Sequence, residues 1–252
     1  MNYFLTVHIK HSKLLLLAVI CALFTSIFIY VESEQIRSVF SSKQNPNALY
    51  QGNADREEIA ITFNISWGYE KVEPILEVLK KHDVKSTFFV SGEWAERHPD
   101  LLEMIVKDRH EIGMLGYAYK SYLEQEPDAV RRDLARAKDI FGKLGYPDIT
   151  LLRTPNGEFN EEVFALAENQ GLKVIHWSVN PHDWKNPGTD NIVKDVKKNT
   201  SNGDIILLHA SDSVKQTEKA LDILLPFFKE EGLKPVTVSD IISQADESHE
   251  EL

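Results

Sequence analysis

The sequence predicts an α/β fold in which about seven parallel strands alternate with helices, set behind one N-terminal apolar span. Three observations carry this expectation. Short β-rich runs recur along the chain, segments of helical apolar spacing separate them, and polar residues gather at the C-terminal ends of the runs.

The first element is the uncharged apolar stretch at residues 14–31, about the length a helix needs to cross a hydrocarbon core. Lys10 and Lys13 precede it and Glu32 and Glu34 follow it. The positive-inside rule therefore places residues 1–13 in the cytoplasm and the remainder outside, a single-pass cell-membrane protein with an extracytoplasmic C-terminal domain. A cleaved signal peptide shares the basic start and apolar run. No small-x-small site follows, however; Ile29, Tyr30, Val31 and Glu32 stand there, which favours an uncleaved signal anchor. The only cysteine, Cys21, falls inside this stretch, so the outer part is expected to hold together without disulfides.

Residues 32–56 are polar and read as a stalk. The folded domain is expected at 57–243, with an acidic tail at 244–252. Its strands are expected at 58–64, 86–91, 111–115, 149–153, 173–179, 204–209 and 235–238. Between them Val72, Ile75, Leu76 and Leu79 make one helical stripe. Val130, Leu134, Ala137, Phe141 and Leu144 make a second, and Ala220, Leu221, Leu224 and Leu225 a third. Pro99 and Pro127 suit first helical turns, and Gly171 and Gly232 suit helix stops. The repeated strand-helix order argues for a parallel sheet with helical cover. Periodicity leaves open whether the sheet is doubly wound or a barrel.

The formal net charge is -11, and Lys10 and Lys13 are the only Lys, Arg, Asp or Glu residues before Glu32, so the outer part is more acidic still. Such a surface repels polyanions; nucleic acid is not expected as a partner, whereas a neutral or mixed-charge sugar polymer is acceptable.

Asn64, Ser91, residues 115–119, Arg153, residues 180–184 and His209 all fall at or just past the ends of successive expected strands. In a parallel sheet or barrel those ends share one face, the face that carries ligands. Each residue alone has a structural explanation: a cap, a surface ion pair, a satisfied carbonyl. Together they point to one cleft.

In order along the chain stand Ile61-Thr-Phe-Asn-Ile-Ser-Trp-Gly68, Ser86-Thr-Phe-Phe-Val90, His110-Glu-Ile-Gly113, Arg153-Thr-Pro-Asn-Gly157, Asp183-Trp184 and Leu207-Leu-His209. These blocks, over residues 58–243, resemble the NodB-type polysaccharide deacetylases, carbohydrate esterase family 4. Asn64-Ile-Ser-Trp-Gly68 together with Leu115-Gly-Tyr117 is most similar to the sporulation-associated PdaB-like subgroup. The resemblance implies an irregular (β/α) barrel of about seven parallel strands. It also implies peptidoglycan or another N-acetylated glycan as the polymer, and amide hydrolysis assisted by a divalent metal such as zinc.

That chemistry needs metal ligands, a base for the water and an acid for the leaving amine. The family's base and metal aspartate correspond to Asn64 and Ile65, and its two metal histidines to Leu115 and Tyr119. An amide is no base at neutral pH and an isoleucine has no lone pair to offer. No metal ligand set is therefore expected, and no cofactor; His176, His182 and Asp183 form the only local cluster worth testing.

What the resemblance implies as retained is the other half of the site. Arg153 matches the arginine that orients the base, Asp183 and His209 the aspartate and general-acid histidine, and these three are the candidate catalytic residues. Trp184 matches the aromatic wall of the groove, and with Pro155, Asn64 and Tyr119 it is a candidate substrate-binding residue. Gly157 shapes the loop with Pro155, whereas Asn180 departs from the family's first aspartate before the tryptophan. Three readings follow: a glycan-binding pseudoenzyme, a hydrolase with a non-standard site, or a scaffold acting through protein contacts.

Overall fold

The computed structural model describes residues 48–243. The expected cytoplasmic N-terminus, span and acidic tail, and most of the stalk, lie outside the described residues. Within them no helix is long and apolar enough to cross a membrane.

The chain alternates β1 (Glu58–Ile65), α1 (Val72–Lys81), β2 (Thr87–Val90), α2 (Gly92–Arg97), α3 (Pro99–Lys107), β3 (Glu111–Met114) and α4 (Pro127–Lys143). It continues through β4 (Leu151–Leu152), α5 (Glu161–Glu168), β5 (Lys173–Val174), α6 (Thr189–Asn199), β6 (Ile205–His209), α7 (Thr217–Glu230) and β7 (Lys234–Val236). All strand pairs are parallel, in the order β5-β4-β3-β2-β1-β6, with β7 also against β1. The seven strands make a half-barrel. Its open side is bridged where Ile175 pairs with Leu49 and Val179 with Ile206.

β1 shows why the layers form. Ile59, Ile61, Phe63 and Ile65 face the helices and join one apolar cluster, which includes Val72, Ile75, Leu76 and Leu79 of α1. Ala60 faces the other way, into a smaller cluster with Phe89, Leu115, Leu151 and Ile175 that fills the barrel interior. The period-2 alternation of a strand thus sends Thr62 and Asn64 inward as well. The expected stripes of α4 and α7 are buried as well, except Leu144, which stands just past the end of α4 and is only half-buried.

Two expected strands are corrected. The runs at 149–153 and 173–179 reduce to Leu151–Leu152 and Lys173–Val174. The second is cut short because the chain changes partner: Lys173 and Val174 pair with β4, but Val179 has crossed to β6. α2 and α3, between β2 and β3, were not foreseen as helices beyond Pro99, which occupies the first turn of α3.

Candidate functional site

Asn64 and His209, the last residues expected in their strands, are register partners across the β1–β6 ladder, so they stand side by side at the C-terminal mouth. Arg153 follows β4 and reaches the same place from the opposite wall. It is fully buried, and Nη1 donates to Thr62 Oγ1 and Asn64 Oδ1, both at 2.9 Å. Nη2 donates to the His176 carbonyl at 3.0 Å and Nε to the Ile175 carbonyl at 3.4 Å. Its Cζ lies 4.1 Å from the centroid of the Phe89 ring. Every one of these acceptors is neutral. Burial pushes the guanidinium pKa down to about 9, which still leaves it cationic at neutral pH.

Because a guanidinium only donates, the Asn64 oxygen must face Arg153 and its NH2 group must face away. On that side stand Tyr119 and the Asn156 backbone. Burial pushes the Tyr119 phenol pKa up, opposed by Asn156, Arg153 and Asn64. Tyr119 holds a left-handed backbone at φ 48, rare for a bulky residue and a mark of a conformation fixed by its surroundings.

These neighbours decide whether a divalent metal fits. Ile65 is completely buried and faces the helical layer; Leu115 is completely buried in the barrel-interior cluster. Both present only hydrocarbon, and the third position offers a phenol whose pKa burial raises, so it stays neutral. The residues at these positions do not fit the metal that the resemblance implies. Among the described residues no three His, Cys, Asp or Glu side chains gather as a metal group. His176, His182 and Asp183 do not gather as such a group. His176 stacks on Trp177 at 3.9 Å, the His182 backbone is left-handed with its residue exposed, and Asp183 is turned inward.

Asp183 is fully buried and serves His209 twice: Oδ2 accepts from the His209 backbone N–H at 2.8 Å, and Oδ1 lies 2.7 Å from Nδ1. Thr217, at the start of α7, donates to Oδ2 at 2.7 Å. An ionised carboxylate only accepts, so Nδ1 is the donor of this contact and Nε2 is left outside it. The His209 side chain is 16% exposed.

The remaining expected residues frame these groups. Pro155 is buried, and a Cβ on Gly157 would stand 2.3 Å from the Trp177 ring, so only glycine lets this turn close over the indole. Asn180 Oδ1 accepts from the His182 N–H at 2.9 Å and shapes the turn that leads into Asp183. Trp184, next to Asp183, is 48% exposed, with Lys185 Nζ 5.1 Å from its ring. Sequence reasoning did not single out Thr62, Trp177 or Thr217. Thr62 had a signal, since it lies two residues before Asn64 on the same strand face; Thr217 had none.

Comparison with known proteins supplies relatives. The family model for polysaccharide deacetylase matches residues 51–175, ending before Asp183 and His209. A peptidoglycan-N-acetylglucosamine deacetylase of Bacillus cereus is 35% identical over 73% of this chain and 87% of its own. The uncharacterized protein YlxY of Bacillus subtilis is 28% identical over 85% of this chain; the chain spans 66% of that relative's length. Among solved structures, a CE4 family pseudoenzyme from Bacillus anthracis superposes with a TM-score of 0.73 at 30% identity, covering 78% of this chain and 69% of the other.

Proposed function

The chain belongs to the polysaccharide deacetylase family, and on that premise we propose that it is a glycan-binding pseudoenzyme, one that holds an N-acetylated, peptidoglycan-type polymer at its barrel mouth. The observation that carries this reading is the Arg153–Asn64 contact: where the chemistry calls for a carboxylate base, the buried cation grips an amide. Hydrocarbon at Ile65 and Leu115 removes the ligands, so the metal-assisted step has neither base nor cation. The intact wall fits the binding half of the task. Trp184 offers a half-exposed indole face to the apolar face of a sugar ring, and the acidic chain has no quarrel with a neutral glycan.

The place of action follows from the sequence: a signal anchor at residues 14–31 would hold the domain on the outer face of the membrane, and similarity to the PdaB-like subgroup suggests the envelope of a forming spore. Binding is tested by co-sedimentation of the full chain with purified peptidoglycan. Trp184→Ala is expected to weaken retention about tenfold, and undiminished retention would contradict the reading.

One observation favours a second reading. The His209–Asp183 pair is complete, with a third hydrogen bond from Thr217, so His209 Nε2 could serve as an acid or base in metal-free hydrolysis. Acetate release separates the two.

A further inference from the structure

We infer that Trp67 is a second sugar-stacking residue, standing across His209 from Trp184 so that the mouth grips at least two rings of one N-acetylated glycan; this rests on the glycan-binding reading above.

Trp67 is 55% exposed, more than any other tryptophan, and Trp184 at 48% comes next. A single exposed indole is unremarkable on a surface. The backbone that carries this one, however, is fastened on both sides. On one side the Ser66 N–H donates to Ser211 Oγ at 3.4 Å and the Glu70 N–H to Asp212 Oδ1 at 2.8 Å. On the other side the Trp94 indole N–H donates to the Gly68 carbonyl. Gly68 itself has φ 79, and a Cβ there would lie 2.3 Å from the Asp212 carboxyl carbon, so only glycine fits. The turn is rigid while its largest side chain is left in water. Tyr69, the other exposed aromatic of the turn, is turned to the ring of His98, 5.8 Å away at the junction of α2 and α3.

The position follows from the topology. β6 has β1 on one flank and the Val179 segment on the other. Trp67 therefore follows the strand on one side of His209, and Trp184 follows the segment on the other. Neighbouring strands stand about 4.8 Å apart, so the two flanking segments from which the tryptophan turns depart lie roughly 10 Å apart, with the strand of His209 between them. The loop after β6 ties the flanks together: Ser211 and Asp212 hold the Trp67 turn, while the Ser213 carbonyl and the Lys215 N–H bond to Asn186 at 2.9 and 2.8 Å. Two aromatic faces fixed on a common loop suit a chain of pyranose rings. The net charge of -11 disfavours an anionic polymer at the same place.

The test is calorimetric titration of the full-length chain with tetra-N-acetylchitotetraose, comparing Trp67→Ala, Trp67→Phe and Trp184→Ala. Trp67→Ala is expected to weaken binding about tenfold and Trp67→Phe to recover most of it. Wild-type affinity in Trp67→Ala, with binding lost in Trp184→Ala, would overturn the role of Trp67 and leave the glycan-binding reading standing. No binding by the wild-type chain would overturn both.

Discussion

Arg153 Nη1 donates to Asn64 Oδ1 at 2.9 Å, so a fully buried cation is held by a neutral amide in the barrel interior. The desolvation cost of that cation is met by hydrogen bonds to four neutral oxygens and by the Phe89 ring, with no ion-pair partner among the described residues.

Supplying the counter-charge should therefore stabilise the domain. Asn64→Asp places a carboxylate against the guanidinium, whose charge will hold the new carboxyl below the ordinary range. A depressed carboxyl contributes stability that is present above the unfolded value of about 3.9 and lost as pH falls through the lower folded value. The variant is expected to gain about 1–2 kcal/mol at pH 7 and to lose the gain in acid. Urea unfolding at both pH values measures it; a variant less stable than wild type at pH 7 would contradict the account.

His110 sets a separate acid limit. It is buried, its Nδ1 accepts from the Ser86 N–H at 3.2 Å, and burial, with Lys85 adding to it, pushes its pKa down to about 4. Its unfolded value is about 6.5, so the unfolded chain binds the extra proton between these values and stability falls as pH drops from about 6.5 to about 4. His176 is pushed down to about 4 by burial as well, so His110→Gln should lessen the fall in the unfolding midpoint across that window without abolishing it, by an amount on the order of 3 kcal/mol at most. An unchanged slope would show that His110 is not the group responsible.

Thr217 is expected to position the dyad. Thr217→Val removes the hydroxyl that donates to Asp183 Oδ2 and should cost about 1.5–3 kcal/mol, because the carboxylate stays buried. Nitrogen NMR of His209 reports on the pair directly: Nδ1 protonated and Nε2 bare in wild type, with that preference weakened in the variant. The same tautomer balance in both would confine Thr217 to a packing role.

Much of this arrangement was legible before the fold. The β-rich run at 58–64 marked β1, and the polar residues at strand ends marked the mouth, because a parallel sheet must bring those ends together. The lengths of β4 and β5 were not legible: the sequence at 173–179 is strand-like throughout, and only the three-dimensional path shows its pairing passing from β4 to β6. Asn64 was readable as a lost base, but the left-handed backbone at Tyr119 is announced by no local pattern. Trp67 looked like part of a motif block; that its indole stands in water follows from how Gly68 packs on Asp212.

The most direct measurement is acetate release from N-acetylated chitooligosaccharide and peptidoglycan by the full chain, with Zn²⁺, Co²⁺, Mn²⁺ or Ni²⁺ supplied and His209→Ala alongside. The account predicts no release above the protein-free control with any metal, while glycan binding persists. Release that His209→Ala abolishes would contradict it and establish a working hydrolase built on the His209–Asp183 pair.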